Sequence, residues 1–578
     1  MSTGFFVADN KIPVKEDYVA IPSQNGLTYD AQKVIEFYIP PNVSYFNPKN
    51  SYLQFDLTIA QDTSASNTRL QLDELIGGQI LLDTIRIHSG DKTELLEEIR
   101  HYPVHVAMKY AYHSNETLKN LRALNEGAGI WTPDSRGTRG STKSELANHK
   151  YSPYYKNVSE DPTNEAFTNS NKYTQCKLKL PLHTGLFQND KVVPCGLMNG
   201  LFVSILTSEN KRCFRQLDSV NKNRRLTLNP LFHSLNGTTL SPSNFDNGSV
   251  SNKFFIKHDN NNWAVDNFPL VVGETFEFAS ESSGFVSALS VPAVIKTIET
   301  SGTGANKYVK VTLNASVKNN GSNVRNAGNV YLASTSVSAA ATYNPTYSMS
   351  NVELVLNQVD LGAKAQQEAM SDMRAGKMMV YDFLSTQVYN HSQLKGDRVA
   401  NIPIPGNHQR AKSVICVPTD ASVYSGKDQI SSTGTYEIHA NSHDHFLLSS
   451  QSGIAGISNR LTEYFFFYDG RNQPSLNVNT EKISSKSSVD AIPLLELDKA
   501  LQSAGMPALQ MSRFNENFAV ARTFSLNDGV YDMRNKDCRL NVHYQDVASP
   551  PEKDMLWCNF VYHLRRINIR SDSISVEV

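Results

Sequence analysis

At 578 residues and a formal net charge of −1, the chain is too long for a single hydrophobic core, and it lacks the overall basic excess of a protein that coats nucleic acid. Hydrophobic residues make up 40% and charged residues 19%, a globular balance. Asn, Ser and Thr are plentiful and long amphipathic helices are scarce, which favours β-structure with extended loops.

Residues 1 to about 30 read as a polar arm, interrupted by Pro13 and Pro22 and without a sustained period. The segment Met1–Lys11 has no apolar stretch behind a charged start, so it does not read as a secretory signal. The run from Ile35 to Ile59 is more informative. Leu53, Phe55, Leu57 and Ile59 alternate with Gln54, Asp56 and Thr58, the period of a strand with one buried face. Pro40, Pro41 and Pro48 are expected to stop strands here, because proline donates no ladder hydrogen bond. These two strands are expected to open the first sandwich.

Another strand is predicted over Ile80–Ile87. From Glu94 to about Leu124 the spacing of Leu95, Leu96, Ile99, Val106 and Tyr110 predicts a helical passage, kinked or broken at Pro103 and restarted at Asn115. Loop composition over 127–172 gives way to strands at Lys177–Leu182 and Leu201–Thr207. Between about 230 and 343 charges thin out and short alternating runs appear at Thr275–Phe278, Tyr308–Leu313 and Asn329–Leu332, which predicts a β-rich surface insertion. A strong strand at Asn351–Leu361 closes the first half, and Gln366–Met373 forms a short helical connector.

The second half repeats the theme. Strands are predicted at Thr386–Tyr389, Lys412–Val417, Tyr436–His439, Tyr464–Tyr468, Phe518–Phe524, Cys538–Tyr544, Phe560–Leu564 and Ile574–Val578, with one helix at Leu494–Leu501. The predicted fold class is all-β: two tandem eight-stranded sandwiches with short helical interruptions and a loop insertion in the first. The expected division is an arm at 1–30, a first sandwich at 31–365 and a second at 366–578. The densest apolar cluster, Tyr464–Tyr468, is far shorter than the roughly 20 residues of a membrane helix, so a chain neither exported by the usual route nor membrane-spanning is expected.

Candidate chemistry is thin. His439 with His443, Asp444 and His445 is the best metal-like cluster, but it lies in a polar loop with no distant partner motif. Ser301–Lys307 lacks phosphate-loop spacing and leads into a strand. Arg224–Arg225 and Arg565–Arg566 could neutralise phosphates, although arginines beside strands more often make ion pairs or cover an interface. The carboxylate pairs Glu97–Glu98 and Asp73–Glu74 carry no mark of acid/base work. The six cysteines, Cys176, Cys195, Cys213, Cys416, Cys538 and Cys558, have no Cys-x-x-Cys spacing and read as reduced, mostly buried thiols. No catalytic, cofactor-binding or metal-ligating residue is assigned, and no cofactor.

Several passages carry a resemblance. They are Ile39–Leu53, Leu82–Gly90 followed by Leu95–Ile99, Arg212–Ser219, Asn223–Gly237, Phe467–Arg471, Gly529–Arg534 and His563–Arg570. In order and spread along the chain they resemble the double jelly-roll major capsid proteins of polintons and polinton-like viruses, in the adenovirus-hexon-like lineage of double-stranded DNA viruses. The resemblance implies two jelly rolls and a homotrimeric, pseudo-hexameric capsomer that tiles an icosahedral shell around double-stranded DNA. It also implies neighbouring capsomers, penton and other minor capsid proteins as partners, no sequence-specific nucleic-acid binding and no enzymatic activity. External loops would offer the surface for host contact, and the expected location is the virion, assembled inside the host cell and not secreted. Deletion of residues 1–25 is expected to spare the trimer and impair the shell. The alternative is a tandem β-sandwich that binds or hydrolyses glycans. A receptor-binding fibre would be expected to show repeats or a stalk.

Overall fold

The four alternating residues Leu53, Phe55, Leu57 and Ile59 are completely buried, and the strand that carries them organises the first half of the molecule. The structure is a computed structural model. It describes residues 15–61, 68–73, 75–114, 122, 125–128, 154–157, 172–173, 176–216, 224–227, 251–257, 275–282, 285–288, 293–301, 308–317, 329–332, 345–425, 436–438, 453–459, 461–480, 491–509, 517–524, 529–544, 553–570 and 573–577.

Eight strands form the first unit: β1 (Lys15–Pro22), β2 (Val34–Ile39), β3 (Phe46–Gln61), β4 (Leu82–Ser89), β5 (Leu95–Ile99), β6 (Cys176–Pro181), β7 (Leu201–Thr207) and β8 (Pro345–Asp360). They make two facing sheets, ordered β1-β8-β3-β6 and β2-β7-β4-β5, with every neighbouring pair antiparallel. The second unit contains β9 (Met379–Gln393), β10 (Val399–Pro403), β11 (Ala411–Asp420), β12 (Leu461–Tyr468), β13 (Arg471–Asn479), β14 (Val520–Thr523), β15 (Arg539–Tyr544) and β16 (Met555–Ile569). Its sheets run β9-β16-β11-β14 and β10-β15-β12-β13, the same order with eight added to each label. Each unit is therefore a jelly roll, with first strand beside last and second beside seventh.

Among the described residues, three helices of more than ten residues interrupt the strands: α1 (Tyr102–Tyr112), α2 (Gly362–Arg374) and α3 (Ile492–Ser503). The connector α2 joins the two rolls where the sequence placed a short helix. Among the described residues of the insertion, strands at Arg224–Thr227, Ser251–Lys257, Thr275–Ser282, Phe285–Ala288, Ala293–Ser301, Tyr308–Val317 and Asn329–Leu332 build one further sheet. Its last member, Tyr436–Ile438, comes from the β11–β12 connection of the second roll and pairs in parallel with Arg224–Leu226. Because strand direction alternates along each roll, the connections after odd-numbered strands all leave from one end. This shared sheet therefore joins same-end excursions of the two rolls.

The structure corrects five expectations. Residues 15–22 are not arm: β1 pairs with β8 over all eight residues, Lys15 opposite Asp360 through Pro22 opposite Glu353. Its first four residues, Lys15 to Tyr18, are exposed on both faces, which hides the strand in composition, while Ile21 reaches the core. The run Ile35–Ile59 consequently supplies the second and third strands, not the first two. Pro48 does not end a strand but sits within β3, where the register with β8 jumps from Tyr52–Val355 to Asn47–Asn357. A bulge is one of the few places a strand tolerates proline.

Finally, Leu95–Ile99 is strand β5, paired with β4, and the helix begins only at Tyr102. Pro103 starts that helix instead of breaking it, since a proline in the first turn removes an N–H that has no intrahelical partner. Residues 115–121 lie outside the described residues, and with them the predicted restart.

Candidate functional site: the seam between the two jelly rolls

The polar side chains that sequence reasoning passed over gather where the two rolls meet. Helix α1 lies in this seam with Tyr102, Val104, Val106, Ala107, Met108 and Ala111 fully buried. One side of it faces the second roll. His101, just before the helix, forms a hydrogen bond through Nδ1 to the Tyr424 hydroxyl (2.7 Å) and accepts one at Nε2 from the Asn390 amide (2.6 Å). One turn on, His105 Nε2 meets the Tyr562 hydroxyl at 3.1 Å, with its ring 5.3 Å from that of Phe560. The helix end is fixed as well: the Tyr112 hydroxyl donates to the Asn517 carbonyl, and Leu509 N–H donates to the Tyr112 carbonyl (2.9 Å).

Arg212 secures the same side. Its Nε donates to the Tyr424 carbonyl (3.0 Å), its guanidinium stacks 4.0 Å over the Tyr424 ring, and Nη1 pairs with Asp83 at 2.7 Å. At the other end of the seam, Glu97 is buried and accepts hydrogen bonds from Gly185 N–H (2.8 Å), Leu186 N–H (2.9 Å) and the Ser385 hydroxyl of the second roll (3.1 Å). Burial pushes its carboxyl up against the pull of those donors. Arg565 donates from the second roll to the Leu95 carbonyl at 2.8 Å. The two backbones come so close here that a Cβ on Gly185 would collide with the Leu384 carbonyl oxygen. Only glycine fits that approach.

A second polar cluster lies behind α1. The Tyr110 hydroxyl bonds both Glu126 oxygens (3.0 and 2.9 Å) and His183 Nε2 (2.6 Å), while Lys109 Nζ reaches His183 Nδ1 and Gln188 Oε1, each at 3.1 Å. Gln79 donates to Glu126 (3.2 Å) and accepts from the Tyr102 hydroxyl (2.8 Å). Burial raises the Glu126 carboxyl to about 7, lowers Lys109 to about 8 and holds His183 well below its usual value. These perturbed groups are spent on one another, which is how a buried polar network becomes tolerable in a core.

The sequence candidates do not converge. Arg566 pairs with Asp382 (2.8 Å) and Arg565 crosses the seam, so both follow the ion-pair and interface reading. Glu97 and Glu98 part company: Glu98 bonds Arg86 (2.6 Å) and Arg100 (3.1 Å), while Glu97 holds the seam. Asp73 accepts from Leu75 and Ile76 N–H, and Glu74 lies outside the described residues. Arg224 and Arg225 stand in the parallel pairing with Tyr436–Ile438, and their side chains lie outside the described ones. His439, His443, Asp444, His445 and residues 302–307 also lie outside the described residues. Among the described residues, no group of three or more His, Cys, Asp or Glu is placed to hold a metal. Cys195, Cys213, Cys416, Cys538 and Cys558 are buried free thiols, each pushed up by burial. The signal that could have found the seam was the helical spacing of His101, His105 and Tyr112.

No protein-family model matches the chain, and no curated protein matches it. Solved structures do. The Faustovirus major capsid protein matches at 9% identity over 98% of this chain and 93% of its own, with a TM-score of 0.47. The Sputnik virophage structure matches at 8% identity over 98% of this chain and 88% of its own (TM-score 0.42), and the mavirus major capsid protein at 8% over 97% and 90% (TM-score 0.36).

Proposed function

We propose that this chain is a viral major capsid protein that works by self-assembly. Three copies would form a pseudo-hexameric capsomer, and capsomers would tile an icosahedral shell around double-stranded DNA. The observation that carries the reading is the repetition of one eight-strand order twice in a chain, the two copies held in fixed relation by a buried seam. A chain that presents two like units side by side contributes two sixths of a hexagonal block, so a closed threefold ring completes it. The resemblance read from the sequence points to the same assembly.

In this reading the protein has no catalytic, cofactor or metal site. Its chemistry is packing, and the perturbed groups around α1 serve the fold. The chain divides at α2 into two rolls. The excursions leaving one end of both rolls form the outer surface, available for host contact. Neighbouring capsomers, penton and minor capsid proteins are the partners, and the virion is the place of action, assembled inside the host cell.

Sedimentation of the purified full-length chain tests this reading. A mass of three chains is expected. A stable monomer that binds or cleaves glycans would replace it with the alternative.

A further inference from the structure

Two histidines of the second roll are stacked and buried with few partners. His408, in the connection between β10 and β11, lies on His563 of β16 with ring centroids 3.9 Å apart. The Tyr389 hydroxyl of β9 meets His408 Nε2 at 3.0 Å. Among the described residues, His408 Nδ1 and both ring nitrogens of His563 make no hydrogen bond. Burying such nitrogens unpartnered costs stability, and burying them charged costs far more.

The pair sits beside contacts that hold the two rolls together. Ser385 of β9 stands directly opposite His563 in the antiparallel register, so the two side chains share one face of the sheet. Arg565 is two residues farther along β16 and belongs to the same face. Both neighbours reach the first roll. The Ser385 hydroxyl donates to Glu97 (3.1 Å), and Arg565 donates to the Leu95 carbonyl (2.8 Å).

The charges that face the pair oppose a proton on it. Arg565 and Arg410 act against one on His563, with the Val561 carbonyl in its favour, and Arg565 acts against one on His408. The nearby carboxylates are committed elsewhere. Asp382 of β9 is held by Arg566 at 2.8 Å and Arg410 at 3.5 Å, and Glu94 and Glu97 of the first roll act on Arg565. In the connection after β14, Met533 N–H bonds the His408 carbonyl (2.8 Å), while Asp532 pairs with Arg534 at 2.7 Å. Burial holds the Glu97 carboxyl up and His408 down to about 4, so Glu97 is protonated before the pair and offers it no countercharge.

We propose that the His408–His563 stack is an acid-operated latch: proton uptake by the pair drives Arg565 and Ser385 off the first roll and opens this end of the seam while both jelly rolls keep their sheets. Closed, the pair is neutral. Opened to water, each imidazole regains its ordinary basicity, so opening takes up as many as two protons. The opening equilibrium therefore rises by up to about a hundredfold per pH unit as pH falls below about 6.5. The latch lies within one chain, so it stands or falls apart from the self-assembly reading. In a shell it would let acid loosen each subunit.

Hydrogen exchange of the full-length chain, read by mass spectrometry as protection factors between pH 7 and 4, tests the latch. Peptides over 183–187 and 382–386 meet at Gly185 and Leu384. They are expected to lose protection by more than about tenfold per pH unit below about 6.5, while 201–207 and 539–544 in the sheets keep theirs. His408→Gln retains an acceptor for the Tyr389 hydroxyl and removes one proton site, so it is expected to lower that slope by about tenfold per pH unit. Two results from the wild type alone would overturn the latch: seam and sheets losing protection together, or a seam whose protection does not change with pH. An unchanged slope in His408→Gln would overturn it as well.

Discussion

The two jelly rolls share a strand order and differ in what hangs from it. In the first, the connection after β5 spans 100–175 and the one after β7 spans 208–344. In the second, the corresponding connections span 480–519 and 545–554. The shorter links at the opposite end are alike in kind, such as 40–45 and 90–94 in the first roll and 404–410 and 469–470 in the second. The long connections follow odd-numbered strands in both rolls, 100–175 and 208–344 in the first and 421–460 and 480–519 in the second, and leave the sheets undisturbed. Loop length costs a sandwich little once its strands are paired, since closure entropy grows only with the logarithm of length.

The comparison breaks most severely at the N-terminus. In the second roll the first strand, β9, is long and follows α2 after a short turn, whereas β1 is held by its pairing with β8 and a few core contacts. Deletion of residues 1–14 is expected to leave the thermal midpoint unchanged. Deletion of 1–22 removes β1 and uncovers β8, so the 1–25 deletion expected from sequence to spare the trimer does not remove a mere arm; it is expected to lower the midpoint by roughly 5 °C or more, or to abolish soluble protein. Equal melting of the two truncations would return residues 15–22 to the arm.

The next effect is at the seam. Gly185→Ala forces a methyl against the Leu384 carbonyl, which backbone on both sides must absorb, and should destabilise by about 1–3 kcal/mol in a denaturant titration. Gly470→Ala lies at a turn with open space around it and a φ of +74°, so it should cost about 1 kcal/mol from backbone strain alone. If the two cost the same, the rolls are not in tight contact at Gly185.

A smaller, pH-dependent effect separates the rolls again. In the second roll His408 stacks on His563, ring centroids 3.9 Å apart, beside Arg410 and Arg565. Burial lowers His408 to about 4, with Arg565 adding to it, and holds His563 well below its usual value. Both are neutral in the fold and would be charged when unfolded below about pH 6.5, so stability falls as pH drops from there toward 4. In the first roll Glu126 acts in the opposite sense. Held up to about 7, it favours the fold most below its ordinary range, and that contribution fades as pH rises to 7. His408→Gln should therefore flatten the acid limb by up to about 3 kcal/mol between pH 6.5 and 4, and Glu126→Gln should not. Identical limbs for wild type and His408→Gln would contradict this assignment.

Much of the frame could be read from residues alone. Alternation exposed β3, whose Leu53, Phe55, Leu57 and Ile59 are buried while Gln54, Asp56 and Thr58 are half-buried, and continuous apolar runs marked β7 and β12. β1 escaped because an edge strand is mostly exposed on both faces, and β5 because five residues with two glutamates fit a helical turn as well as a strand. The seam was hidden for a different reason. Its histidines, tyrosines and Glu97 look like surface chemistry in sequence, and only the second roll folding against them makes them core. The same holds for Arg565, whose role depends on a carbonyl 470 residues away in the chain.

Whether one chain supplies two sixths of a hexagonal block is read by electron microscopy of the full-length protein, purified and concentrated. Trimeric particles with a pseudo-hexagonal outline, or shells tiled by them, are expected. Particles the size of one chain with no threefold symmetry would contradict this expectation.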